Sequence, residues 1–235
     1  MRIALIHALK HSIAPIEDAF ARLWPAARLA NLLDDSLSAD LACDGVLTPA
    51  MTERFLTLAR YVRASGADGI LFTCSAFGPC IEACARALAP MPVLKPNEAM
   101  IEDALTLSGP EGHLAGHADG RGGGRIGLLA TFAPTLDSMP AEFAVAAPGI
   151  TVVPRLVEGA LAALDRGDAA AHDRAAVDAA MALESCDAIA LGQFSLARAA
   201  PAIEAATGRR VLTTPDSAVH KLRRLLGVAD TSDGG

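Results

Sequence analysis

The chain has 235 residues, enough to bury a large core in one globular unit or two small ones; 52% are hydrophobic and only 4% aromatic, so Ala, Leu, Val and Ile carry the packing. A formal net charge of −7 with a pI near 5.3 excludes a protein organised around a basic face for nucleic acid, and the short apolar runs exclude the ~20-residue span that a bilayer requires. Five cysteines without regular spacing make no disulfide framework, and the opening MRIALIH turns polar too soon for a signal peptide, so a cytoplasmic protein with reduced thiols is expected.

The first run, RIALIHAL (2–9), is short and continuous in the manner of a strand buried on both faces of a parallel sheet, and it ends on His7 with His11 four residues on. NLLDDSLSADL (31–41) places Asp34, Asp35 and Ser36 in a turn that either caps a helix or borders a ligand site. AMTERFLTLARYVRASGAD (50–68) sets Phe55, Leu58 and Val62 at helical spacing and stops at Gly66. A second apolar run, ADGILFTCSAFGPC (67–80), ends on Cys74 and Ser75, after which Gly78 and Pro79 open the helix CIEACARAL. PVL (92–94) is followed by Lys95, which either pairs with an anionic ligand or makes a salt bridge with Asp216 or Glu98. Residues 108–124, SGPEGHLAGHADGRGGG, read as a mobile Gly- and His-rich insertion.

Beyond it the pattern starts again. RIGLLATF (125–132) aligns with RIALIHAL at an offset of 123, CDAIALGQF (186–194) with ADGILFTCS at 119, and RVLTTPDSAVHKL (210–222) with PVLKPNEAMIEDAL at 118. Apolar runs alternating with helical patterns such as AAAHDRAAVDAAMALESCD (169–187) imply right-handed βαβ units. The expected fold is α/β: two pseudo-symmetric lobes, each a parallel sheet flanked by helices, spanning 1–100 and 101–212. The last helix, PDSAVHKLRRLL (215–226), packs back on the first lobe. Ligands of open α/β sheets bind beyond the carboxyl ends of the strands, which puts the active site in the cleft between the lobes, at the two turns that carry Cys74 and Gln193.

At Cys74 a thiol stands close to a helix N-terminus, whose positive end favours thiolate, and the turn amides and Ser75 offer donors to a carboxylate or enolate. With "FTCSAFG" after a strand, the two-lobed repeat and the "TTPDSAV" ending, most of the chain resembles the aspartate/glutamate/hydantoin racemase superfamily, which includes maleate isomerases and arylmalonate decarboxylases. The resemblance implies catalysis without a cofactor at the carbon beside a carboxylate or carbonyl of a small substrate, in an enzyme that forms dimers. It also implies two cysteines, one per lobe, that remove and return the α-proton. Cys74 matches the first position; the second is Gln193, within Gly192-Gln193-Phe194, whose amide donates hydrogen bonds but exchanges no proton at a useful pKa. Cys186 precedes its strand and belongs at the opposite end of the sheet.

The expected catalytic residues are therefore Cys74, with His7 as the second base. Ser75, Thr131, Phe132, Gln193, Phe194 and Ser195 are expected to bind substrate, Thr131 and Phe132 where the superfamily builds part of its carboxylate pocket. No metal is expected. Gly122-x-Gly124-x-x-Gly127 precedes a strand instead of following one and lacks the dinucleotide context. Cys80 and Cys84 lie along the apolar stripe of a helix, and His113 with His117 has no further ligand nearby. A racemase or isomerase is the leading expectation; a decarboxylase or other lyase on the same scaffold, or a small-anion-binding module, are the alternatives.

Overall fold

Short runs of Ile, Leu, Val and Ala form strands here because each can be covered on both faces by helices. The computed structural model describes residues 1–108 and 124–228, so nearly all of the 108–124 insertion, with His113 and His117, lies outside the described residues. The chain divides into two compact units, one made of residues 1–96 with the chain from Pro215 onward, the other of residues 97–214.

In the first unit β1 (Arg2–His7), α1 (Ile13–Leu23), β2 (Arg28–Leu33), α2 (Leu37–Asp44), α3 (Pro49–Ala64), β3 (Gly69–Phe72), α4 (Gly78–Leu88) and β4 (Val93–Leu94) follow one another. Their sheet has the order β2-β1-β3-β4 and every pairing is parallel. Ala4, Ile6, Ile70 and Phe72 enter one core with α3 and α4, while Ile3, Leu5 and Leu71, the alternate residues, are buried completely as well. Thr48 starts α3 by accepting the Met51 amide at 3.1 Å, and Pro49 occupies the first turn, where its missing N–H has no partner to lose. The helix ends where Gly66 takes φ +86°, a conformation that disfavours any side chain.

In the second unit α5 (Glu98–Ser108), β5 (Arg125–Ala130), α6 (Ala133–Ala146), β6 (Thr151–Leu156), α7 (Ala160–Asp165), α8 (Ala169–Met181), β7 (Ala188–Leu191), α9 (Ala200–Thr207) and β8 (Arg210–Thr213) build a parallel sheet of order β6-β5-β7-β8. The pleat sorts side chains to two cores: Ile126, Leu128, Ala188 and Ala190 join α5 and α6, and Leu129, Ile189 and Leu191 join α7, α8 and α9. Pro154 is confined to β6, an edge strand, where no ladder bond is interrupted. The final helix α10 (Thr214–Leu225) returns to the first unit: Asp216 accepts from Arg22 at 2.6 Å, the buried Arg223 donates to the Leu23 carbonyl at 2.7 Å, and Leu222 lies against the backbone of Gly69.

The two sheets share register as well as strand order. Ile3 pairs with Gly69, and the residues aligned with them by the sequence repeat, Ile126 and Ala188, pair in the same way; at the edge strands Arg2 pairs with Arg28 and Arg125 with Thr151. The division between units falls after Pro96 and not at 100, because α5 buries Met100, Ile101 and Ala104 with Ile126 and Leu128. No helix among the described residues is long and apolar enough to cross a membrane.

Phe55 anchors the first core, its ring 5.2 Å from Phe72, at the end of β3, and 4.9 Å from Phe77, just before α4. Phe55→Ala removes both contacts at a site 2% exposed, and we expect it to cost about 3–5 kcal/mol in a denaturant titration.

Candidate active site

The sheet register brings three polar residues of the first unit to one edge. β1 ends on His7, and β3 ends one residue before Thr73 and two before Cys74. Thr73 continues the ladder by giving its amide to the Ile6 carbonyl at 3.0 Å, so the two strand tips are tied level. Cys74 is extended and half-buried; a single 3₁₀ turn, Ser75–Phe77, separates it from α4, and Ser75 in that turn is half-buried too. Cys74 and His7 line a narrow recess whose other walls, Ile6, Ala8, Leu37, Phe55 and Phe72, are apolar.

That setting reverses the acidity expected of the thiol. Burial pushes the Cys74 pKa up to about 11, and the Ala76 backbone N–H offsets only part of the rise. Three intervening residues and a short 3₁₀ turn keep the thiol off the first turn of α4, where a dipole acts most strongly. Cys74 is a neutral thiol at rest.

His7 is fully buried, and both ring nitrogens are engaged. Nδ1 lies 2.9 Å from Thr73 Oγ1 and Nε2 lies 2.9 Å from Asn31 Oδ1, while the Asn31 amide nitrogen donates to Glu17 at 2.7 Å. Both ring nitrogens are thus committed to partners within the protein, and a substrate proton would reach the ring only in place of one of these bonds. Burial also holds its pKa below the ordinary 6.5, against the opposing pull of Asn31 and Glu17.

The matching turn of the second unit is built from different chemistry. After β7, Gln193 is extended and half-buried, and its side-chain oxygen accepts from the Thr131 hydroxyl at 2.6 Å and from the Thr131 backbone amide. The oxygen is thus occupied and the amide –NH₂ is the end of the side chain that remains to donate. Gly192 is tightly enclosed: a β-carbon there would lie 2.9 Å from Met139 Sδ and 3.3 Å from the Leu129 carbonyl oxygen, so a larger residue requires Met139 to shift. Phe132, half-buried, precedes α6. Phe194 and Ser195 are 1% and 7% exposed in the following 3₁₀ helix, so the structure places them in packed surroundings and not on an open surface. Cys186 is buried ahead of β7, at the opposite end of the strand from Gln193.

The remaining candidates settle into structural roles. Lys95 bonds Glu82 at 2.7 Å, a partner that the sequence reading did not name. Arg54 gathers Asp34, Asp40 and Ser36 at the start of α2, where the Ser36 hydroxyl donates to Asp34 and does not cap the helix. Cys80 and Cys84 are fully buried in the first core, and among the described residues no cluster of His, Cys, Asp or Glu could hold a metal ion. Thr73, Asn31 and Glu17 were not singled out from the sequence; an asparagine inside the strand RLANLL was the available signal, since strands are depleted in it.

The folded protein binds the His7 proton less readily than the unfolded chain does. Its contribution to stability is therefore complete above pH 6.5 and is lost as pH falls below that value toward the lower folded-state pKa. We expect Tm to drop as pH is lowered from about 7.5 to about 5, and His7→Gln to flatten that dependence in calorimetry.

The sequence matches the family model described as Asp/Glu/Hydantoin racemase over residues 48–222. No curated protein matches the chain. Among solved structures, Picrophilus torridus aspartate racemase superposes with a TM-score of 0.70 at 11% identity, covering 96% of this chain and 94% of that one. An arylmalonate decarboxylase gives 0.64 at 20% identity, with 100% and 96% covered. The glutamate racemase of Francisella tularensis subsp. tularensis SCHU S4, solved with D-glutamate, gives 0.66 at 12% identity, with 99% and 84% covered.

Proposed function

The chain belongs to the Asp/Glu/hydantoin racemase family, and from that premise we propose that it is a cofactor-independent enzyme, a racemase or isomerase in type, that moves a proton at the carbon beside a carboxylate or carbonyl of a small substrate. Cys74 is the residue that carries the proton. Gln193 binds the substrate carboxylate through its amide hydrogens, with Thr131 holding the amide in that orientation. The observation that carries this reading is that the repeat-related strand tips of the two units carry a half-buried thiol, after β3, and a glutamine fixed by Thr131, after β7. The racemases and the decarboxylase to which the fold is similar support the reaction class.

The chemistry follows from the thiol. A cysteine held near 11 enters the reaction protonated. It serves directly as an acid toward an enediolate, which is far more basic, and it serves as a base only after the approach of a positive group has favoured ionisation. The turn amide of Ala76 is placed to stabilise the sulfur when it becomes anionic.

One observation favours a second reading on the same scaffold. A resting thiol in one unit, with a glutamine that exchanges no proton at the repeat-related position of the other, suits one-sided delivery of a proton, which is what remains to be done after a substrate has lost CO₂. Incubation in D₂O with aspartate, glutamate, allantoin and an arylmalonate separates the two. Deuterium entering Cα without CO₂ release supports racemisation or isomerisation, and CO₂ release with one deuterium incorporated supports decarboxylation. Binding with neither outcome leaves a small-anion-binding module.

Under either reaction, Cys74→Ala should lower turnover by about 10²–10⁴-fold while leaving Tm unchanged; full activity in that variant overturns the assignment. Gln193→Leu should raise KM by about 10–100-fold with a smaller effect on kcat, the loss expected when donors to a charged group are removed. An unchanged KM would remove Gln193 from the binding site.

A further inference from the structure

The buried His7 is the one titratable group beside Cys74 that the proposed reaction does not use, and its protonation is dictated by what surrounds it. Asn31 gives its amide hydrogen to Glu17 at 2.7 Å and therefore turns its carbonyl oxygen toward His7. A carbonyl oxygen only accepts, so His7 Nε2 carries a hydrogen. In a neutral ring Nδ1 is then an acceptor, and the Thr73 hydroxyl, 2.9 Å away, donates to it in preference to the Ile6 carbonyl oxygen at 3.5 Å. The line runs from a surface carboxylate on α1, across β2 and β1, to the residue before Cys74.

We propose that Glu17, Asn31 and Thr73 hold His7 as a neutral, Nε2-protonated positioning residue, so that the ionisation of the Cys74 thiol is governed by a side chain that never touches the substrate. The inference rests on the reading of Cys74 as the reactive residue. Two consequences are built into the geometry. The Thr73–His7 bond fixes the tip of β3, and with it the direction in which Cys74 leaves the sheet. A neutral ring in the shared recess adds no positive charge beside the sulfur, leaving the thiol dependent on burial and the Ala76 amide. Conversion of His7 to imidazolium would put a cation there and lower the thiol pKa. The charged and titratable groups facing His7 are Glu17 from α1, through Asn31, and Cys74 after β3. Asp34, beyond β2, gives its backbone amide to the His7 carbonyl at 3.0 Å, while its carboxylate is held by Arg54.

Asn31→Asp is the discriminating variant. It keeps an acceptor for Nε2–H but replaces a neutral amide by a carboxylate, which favours imidazolium. The measurement is the pH dependence of alkylation by iodoacetamide at Cys74 alone, followed by mass spectrometry of its peptide, with the exposed Cys43 as internal reference. We expect the Cys74 profile to move to lower pH by about one unit, so that alkylation at a fixed pH below the midpoint is about tenfold faster, while Cys43 is unmoved. An unshifted Cys74 profile overturns the proposal. Should the variant fold poorly, ¹⁵N spectroscopy of the wild-type imidazoles, with His7 assigned by its loss in His7→Gln, reads the same point. A neutral Nε2–H ring at pH 7 upholds the proposal, and an Nδ1–H ring or an imidazolium overturns it. Neither readout uses turnover, so failure of Cys74→Ala to abolish activity would sink the functional reading without deciding this one.

Discussion

Burial of the central strands on both faces is the constraint from which the rest of this structure follows. β1, β3, β5 and β7 have helices above and below, so nearly every side chain along them must be apolar and close-packed. Polar chemistry has one place left to stand, the residue at the strand tip or just past it. His7, Thr73, Cys74, Thr131 and Gln193 all lie there. The parallel register then does the assembling: residues distant in sequence are brought level because their strands are hydrogen-bonded in step.

Within that common frame the two units use their tips differently. In the first, a histidine and a threonine bond each other and a half-buried thiol follows them. In the second, the positions aligned with His7 and Thr73 are Ala130 and Gly192, and the position aligned with Cys74 is Gln193, fixed by Thr131. The exchange of cysteine for glutamine is thus accompanied by a change of its supporting contacts. One tip is organised around a weakly acidic sulfur, the other around an oriented amide. A racemase with matched thiols on its two halves would need both tips to resemble the first.

Much of the fold could be read from the chain because it rests on apolar periodicity, which is local. The runs RIALIH, GILF, RIGLLA and AIAL became strands, and their repeat foretold two similar parallel sheets; the shared register emerged from the structure. The position of Cys74 at a strand tip was legible for the same reason. Its acidity was not: proximity to a helix start in sequence suggested thiolate, whereas the side chains of Phe55, Phe72 and Leu37, contributed from elsewhere in the unit, remove the solvent that would stabilise a charge. The hydrogen bonds of His7 were hidden for a related reason, since its partners Asn31 and Thr73 lie 24 and 66 residues away and only the folded sheet brings them to it. Lys95 shows the limit again, as its partner Glu82 lies on α4, thirteen positions earlier.

The crowding at Gly192 bears on how such a protein can change. Any side chain at that position runs into Met139 and the backbone of Leu129, so the second half cannot acquire the threonine of the first by one substitution without disturbing its own interior. A side chain at this position asks Met139, fully buried on α6, to move aside. The difference between the halves is therefore held in place by neighbours that take no part in chemistry, and descent from a shared ancestor is easier to follow forward than to retrace.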